Sequence, residues 1–199
     1  LVFNGRDGEW RARVAALGKK GVRLAVGRRE RPQPPAPDLV YAFAPLKAGR
    51  LDYMVQKAVE MGAGTLQPVL TQHTQVAKPP MEKMQANAIE AAEQCGVLAL
   101  PALRPPVKLD ALLAGWETDR RLIFCDEDAA TDDPLPALRA VAESKVGVLI
   151  GPEGGLSPAE IARAEASGFK AARFGPRVLR TETAPVVALS VCQQLWGDF

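Results

Sequence analysis

Two turns in this 199-residue chain carry residue types suited to chemistry. The first, Gly151-Pro-Glu-Gly-Gly155, follows the apolar run Val146-Gly-Val-Leu-Ile150 directly and precedes a helix signalled by Ser157-Pro-Ala-Glu160. A glycine-rich turn between strand and helix lets backbone N–H groups approach a ligand closely beside a helix N-terminus. Its spacing is neither G-x-G-x-x-G nor that of a phosphate loop, and Pro152 lacks a backbone donor, so a dinucleotide or a triphosphate is poorly supported. The second turn, Gly175-Pro-Arg-Val-Leu-Arg-Thr-Glu-Thr183, holds two arginines, one glutamate and two threonines in nine residues. It sits beyond the carboxyl end of a strand, where open α/β sheets place their ligands. The same residues also read as a plain helix start, with Thr183 as cap and Glu182 favouring the positive end of the dipole. Spacing alone leaves both readings open.

Other reactive side chains are sparse. His73 is the only histidine, which excludes a His-rich metal site and makes any Ser-His-Asp triad depend on that one residue. It is read as a polar loop residue that could line a groove. Cys95, Cys125 and Cys192 are odd in number and widely separated, so no CxxC pair exists and a reducing compartment is expected. All three are expected to be buried as small apolar side chains.

The elements that must position the two turns follow from periodicity. Beyond residue 38, strand-like stretches fall near 39–44, 65–70, 97–100, 121–125, 146–150 and 171–174. Helical patterns lie near 49–61, 81–95, 109–115, 134–143, 157–167 and 183–196. Alternation at this spacing predicts an α/β domain over 39–199, a mostly parallel sheet with helices on both faces. Gly62 and Gly168 stand where left-handed residues end helices, and Ser157 with Glu160 forms a capping box. The last helix has only Ser190, Gln193 and Gln194 as polar residues from Ala184 to Trp196, and so is expected to be buried all round, against the domain or a second subunit. Residues 1–31 form a separate β unit, a meander with Trp10, Ala12, Val14, Val22, Leu24 and Val26 on one face. Leu1-Val2-Phe3 reads as the middle of a strand, so residues upstream of Leu1 are expected. Residues 32–38, rich in proline, form a stiff linker.

Composition sets outer limits. With 47% hydrophobic and 24% charged residues the chain is an ordinary globular protein, which excludes disordered and fibrous classes. No apolar run reaches the roughly 18 residues of a membrane span and no secretory leader is present, so a cytoplasmic protein is expected. The net charge of +2 is unevenly placed. Residues 1–31 hold nine Lys or Arg against three acids, which points the front end at a polyanion, nucleic acid above all.

Four separated blocks carry a resemblance. Ile150-Gly-Pro-Glu-Gly-Gly-Leu-Ser157, Phe174-Gly-Pro-Arg-Val-Leu-Arg-Thr-Glu-Thr-Ala184 with the terminal Gly197-Asp198, the stretch from Lys47-Ala-Gly-Arg50 to Gly62, and Glu90-Ala-Ala-Glu-Gln94 resemble the 16S ribosomal RNA uracil-N3 methyltransferases of the SPOUT class. The front domain and the stretch Thr71–Pro80 are shorter than that pattern. The resemblance implies a C-terminal deep trefoil knot, a homodimer, bound S-adenosylmethionine, no metal, and an N-terminal PUA-like barrel, incomplete here, that handles RNA. The substrate it implies is ribosomal RNA of the small ribosomal subunit.

Roles then follow residue by residue as expectations. Arg180 would stabilise charge on a uracil losing its N3 proton, because a guanidinium stays cationic. Glu182 would be the base, or would hold Arg180 in place. Backbone groups around Phe124, Gly151, Phe174 and Leu179 would meet adenine and ribose, with Gly154 and Thr183 bordering the methionine part. Arg11, Arg13, Lys19, Lys20 and Arg23 would hold RNA phosphates. The alternatives are a noncatalytic RNA-binding or ribosome-assembly protein that keeps the fold, and a nucleotide-dependent oxidoreductase, which the late position of the glycine cluster disfavours.

Overall fold

The computed structural model describes residues 2–129, 133–139 and 145–197. Leu1, Asp198 and the end of the helix expected over 134–143 lie outside them.

A first sheet is antiparallel. It contains β1 (Val2–Phe3), β2 (Glu9–Gly18) and β3 (Gly21–Arg31) in that order, with β2 and β3 joined through Lys19-Lys20 so that Gly18 faces Gly21. Ala12 pairs with Val26, Val14 with Leu24 and Leu17 with Val22, which gathers the apolar side chains on one face as the alternation requires. That face is open: Val14, Leu17, Val22, Leu24 and Val26 are all exposed. The sheet is tied to the rest of the chain at its other end. Arg31 pairs with Glu9 at 2.8 Å and donates to the carbonyl of Gly96, and the Gln33 amide donates to the carbonyl of Leu98.

The second sheet is parallel throughout. Its strands are β4 (Leu39–Phe43), β5 (Thr65–Leu70), β6 (Ala102–Leu103), β7 (Val107–Lys108), β8 (Arg121–Cys125), β9 (Val146–Ile150) and β10 (Lys170–Ala172), in the order β10-β8-β9-β4-β5-β6 with β7 also on β5. Parallel neighbours need long crossovers, which here are the helices α1 (Ala48–Glu60), α2 (Met81–Cys95), α3 (Leu109–Ala114), α4 (Leu135–Arg139), α5 (Pro158–Ala166) and α6 (Ala184–Trp196). Both faces of the sheet are covered. Tyr41, Phe43, Ile123, Val148 and Ile150 pack with α1, α2 and α6, whereas Ala42, Leu122, Phe124 and Leu149 pack with α3 and α5. Two-sided burial is why the central strands read as unbroken apolar runs.

Local signals hold at several helix ends. Gly62 (φ +73) follows α1, and the capping box of α5 is complete, with Ser157 N donating to Glu160 at 2.9 Å and Glu160 N to Ser157 Oγ at 3.4 Å. Among the described residues no helix is long and apolar enough to cross a membrane.

Three expectations are corrected. Residues 97–100 are not a strand: the carbonyls of Gly96 and Leu98 are taken by Arg31 and Gln33, and the short strands come later, at Ala102–Leu103 and Val107–Lys108. Cys95, the last residue of α2, is exposed, while Cys192 is buried and Cys125 partly so. Within this chain Ala188, Leu189 and Cys192 of α6 face the sheet, while Val186, Val187, Val191 and Leu195 keep part of their surface open. Thr183 stands at the start of α6 but its side chain caps nothing, its backbone N–H turning back to the Arg180 carbonyl at 2.8 Å.

Candidate functional site

Strands β10, β8 and β9 are parallel neighbours, so their carboxyl ends open side by side. Beyond them lies a cavity of 670 Å³. Its walls are Phe124 to Asp128 after β8, Ile150 to Leu156 after β9, Ala172 to Phe174 after β10, and the segment Arg177–Glu182 before α6. The two sequence turns, about 25 residues apart in the chain, therefore meet across one space.

The glycine turn is fixed from two sides. Gly155 N–H closes the turn onto the Pro152 carbonyl at 2.9 Å, and Gly155 itself takes φ +69, a conformation side-chain-bearing residues rarely adopt. A Cβ on Gly154 would meet His73 at no less than 3.5 Å, so that position is free of protein crowding. His73 Nδ1 lies 3.1 Å from the Gly154 carbonyl oxygen and 3.2 Å from that of Gly155. Next to it, Gln72 N–H donates to the Glu160 carboxylate at 2.8 Å, which locks the β5–α2 loop onto the start of α5.

The arginine turn is held by charge. Glu182 Oε1 stands 3.9 Å from Arg180 Nη1 and 3.9 Å from Arg50 Nε, and Arg50 also pairs with Glu153 of the glycine turn. Arg180 is the most open of these groups, its side chain 79% exposed, whereas Glu182 is 17% exposed. The remaining lining is mixed in charge, with Arg173 and Arg177 on the positive side and Asp126, Glu127 and Asp128 on the negative. Cys125 also borders the cavity, where burial, then nearby Cys192 and Asp126, pushes its thiol up and disfavours the thiolate.

Of the residues singled out from sequence, Phe124, Gly151, Gly154, Phe174, Leu179, Arg180 and Glu182 line this cavity. Phe124 is fully buried, its ring packed in the core beneath the cavity. Thr183 is exposed and is not part of the lining. Arg11, Arg13, Lys19, Lys20 and Arg23 lie on the exposed β2–β3 hairpin, Arg11 paired with Glu30 at 2.7 Å. There Arg11, then Arg28, holds the Glu30 carboxyl below its ordinary value.

Sequence reasoning missed Arg50, Glu153 and the contact made by His73. Arg50 had a legible signal: it sits in the first turn of α1, which carries no acid, and a cation there opposes the helix dipole unless something else holds it. The His73 contact joins residues 81 apart and leaves no trace in local pattern.

Residues 32–193 match the family described as RNA methyltransferase domain. Over 201 residues the chain is 32% identical to ribosomal RNA small subunit methyltransferase E of Synechocystis, covering 96% of this chain and 64% of that protein, so it spans somewhat under two thirds of that relative's length. Its fold is similar to the crystal structure of a ribosomal RNA small subunit methyltransferase E from Neisseria gonorrhoeae bound to S-adenosyl methionine, with a TM-score of 0.88, 28% identity and coverage of 99% of this chain and 83% of the other. A Legionella pneumophila methyltransferase in complex with the same cofactor gives a TM-score of 0.78 at 31% identity, over 96% of this chain and 81% of that one.

Proposed function

From the premise that this chain belongs to the RNA methyltransferase domain family, we propose that it transfers a methyl group from S-adenosylmethionine to N3 of a uridine in 16S ribosomal RNA of the small subunit. The observation that carries this reading is the meeting of the Gly151–Gly155 and Arg177–Glu182 turns across one cavity.

The cavity fits the cofactor. Its 670 Å³ lies within the range of small-molecule sites, about 300 to 1,000 Å³, and three adjacent strand ends offer backbone groups to a purine and a ribose. The methionine part carries an ammonium, a carboxylate and a sulfonium, for which a lining of both signs is suited. Backbone around Phe124, Gly151, Phe174 and Leu179 would hold the adenosine, with Gly154 beside the methionine part. Thr183, outside the lining, is left to shape the start of α6.

When bound, the cofactor supplies an electrophilic methyl carbon on a sulfonium sulfur. The chain must place uracil N3 about 3 to 3.5 Å from that carbon, in line with the bond that breaks. The N3 proton would pass to solvent at the open side of the cavity, and the electron pair left on N3 would take the methyl group, with the neutral thioether as the leaving group. Negative charge spreads onto O2 and O4 as the proton leaves, and Arg180, cationic and open, meets it. Glu182 lies within reach of two guanidiniums, which favours its role as the group that holds Arg180 over that of the base.

The uridine must be splayed from its stack to enter. The basic β2–β3 hairpin would hold flanking phosphates, as part of a PUA-like domain over residues 1–31 joined by the linker 32–38 to the catalytic domain 39–199. We further propose that this domain is threaded as a deep trefoil knot and works in the cytoplasm as a homodimer through the open side of α6, where Val186, Val187 and Val191 leave apolar surface uncovered.

The test is incubation of the protein with methyl-labelled cofactor and small ribosomal subunits, followed by mass spectrometry of the RNA. One N3-methyluridine is expected. Cofactor binding without methyl incorporation would mark a noncatalytic homologue and overturn the assignment.

A further inference from the structure

Arg50 is in an unfavourable place for a cation. It occupies the first turn of α1, where the helix dipole repels positive charge and no neighbouring acid in that turn compensates. Its guanidinium is instead held by two carboxylates from distant parts of the chain, Glu153 in the glycine turn and Glu182 in the arginine turn. These are the two walls of the cavity, and Arg50 is part of its lining.

We propose that Arg50 is a positioning residue that ties the two walls together and keeps Arg180 free for the substrate. A guanidinium has donors on more than one edge and can serve two carboxylates at once, whereas an ammonium acts as a compact point charge. The second half of the claim follows from the shared carboxylate. Glu182 Oε1 is 3.9 Å from both guanidiniums, so Arg50 and Arg180 compete for it. With Arg50 in place the charge of Glu182 is shared between two guanidiniums, so Glu182 steadies Arg180 without drawing it in, and Arg180 remains open. Without Arg50, Glu182 draws Arg180 back from the base, and the glycine turn loses its anchor at Glu153.

This inference rests on the methyl-transfer reading for its kinetic consequences but not for its structural ones. Three amides report the walls directly: Gly155 N–H, bonded to the Pro152 carbonyl, and Thr183 and Ala184 N–H, both bonded to the Arg180 carbonyl. Hydrogen exchange of the full chain without cofactor should show these amides, in both turns, exchanging about tenfold faster in Arg50→Ala than in the parent, with the core of β4 and β9 unchanged. Glu153→Gln leaves α1 untouched and should loosen the glycine turn. The double variant should be no looser there than Arg50→Ala, because the two changes break one link.

In the kinetic arm, Arg50→Ala should raise the dissociation constant for S-adenosylmethionine about tenfold and lower kcat about tenfold, with the KM for RNA within about twofold. Arg50→Lys should recover part of the kcat and little of the cofactor affinity. Unchanged exchange at both turns in Arg50→Ala would overturn the proposal whatever the enzyme does. Faster exchange in a protein whose parent form methylates no RNA would uphold the tie between the walls and count only against the methyl-transfer reading.

Discussion

His73 Nδ1 lies between two carbonyl oxygens, 3.1 Å from that of Gly154 and 3.2 Å from that of Gly155. Both partners are acceptors, so Nδ1 must carry the proton and donate. The histidine thus pins the glycine turn from the β5–α2 loop. His73→Ala is expected to weaken cofactor binding by about 1 kcal/mol, about fivefold, measured by calorimetry. His73→Asn, whose amide N–H can reach the same oxygens, is expected to restore most of it. An affinity in His73→Ala equal to that of the parent would show that the glycine turn holds without this contact.

Arg180 separates chemistry from binding. It borders the cavity, is open and is only loosely paired, so its removal takes away a charge without disturbing a packed contact, and on the proposed reading that charge is the one that meets the substrate. Arg180→Ala is expected to lower kcat by about 100-fold or more while leaving cofactor affinity within about threefold. Equal losses in both measurements would place Arg180 in the cofactor site instead.

The front hairpin carries its lysines at the tip, Lys19 and Lys20, with both neighbours exposed. Reversing both charges, Lys19→Glu with Lys20→Glu, is expected to weaken RNA binding and to reduce the slope of log affinity against log salt by about one or more. Filter binding over a salt series reads this directly. A parallel line shifted downward, with its slope kept, would remove the lysines from the phosphate contacts.

What could be read from the chain before its structure follows a physical line. Central strands such as Val146–Ile150 and Leu39–Phe43 are buried on both faces and so announce themselves as continuous apolar runs. The cap at Ser157 and the terminator at Gly62 are local, built from residues a few positions apart. Residues 97–100 failed because an apolar stretch has no way of showing that its carbonyls are taken by Arg31 and Gln33, 65 positions away. Helix α6 announces in sequence that its apolar surface must be covered, but not by what: one side packs on the sheet and the other is partly open within this chain.

The site shows the same division. The Gly151 and Arg180 turns were visible because each concentrates unusual residue types in a short span. Arg50 reaches the cavity from a helix that begins about 100 residues earlier, through contacts that exist only once α1 has docked. Only its conflict with the helix dipole is local.

Thiol reactivity tests burial independently of function. Cys95 is exposed, while burial pushes the Cys192 thiol up to about 12 and raises Cys125 further still. Raising pH from 7 to 9 therefore leaves both buried thiols protonated in the folded protein. Titration with a thiol reagent is expected to find one fast-reacting group in the native chain across that range and three after unfolding in denaturant. A second fast group appearing near pH 8 would mean that the cavity wall at Cys125 opens to water.

The last relationship concerns how the linker meets the sheet. Arg120 is nearly enclosed, its side chain 7% exposed, and its guanidinium gathers three parts of the chain. Nη1 donates to the carbonyls of Asp38 at 3.2 Å and Val146 at 3.3 Å, Nη2 pairs with the Asp38 carboxylate, and Nε bonds Glu117 at 3.0 Å. Asp38 ends the proline-rich segment and Val146 begins β9, so this one side chain sets where the linker enters the parallel sheet. Arg120→Met keeps most of the apolar stem but removes every donor from carbonyls that sit in a confined space. Because Asp38 is more than half exposed, water can replace part of the pairing, and the expected loss is about 1 to 3 kcal/mol rather than the larger cost of stranding a fully buried charge. Arg120→Lys is expected to recover little, since one ammonium cannot span the three partners. Urea unfolding should show the midpoint falling in both variants with its slope kept, while kcat measured well below the unfolding transition stays within about twofold, because no atom of Arg120 borders the cavity. A midpoint equal to that of the parent would show that Asp38 and Val146 are held by the sheet alone.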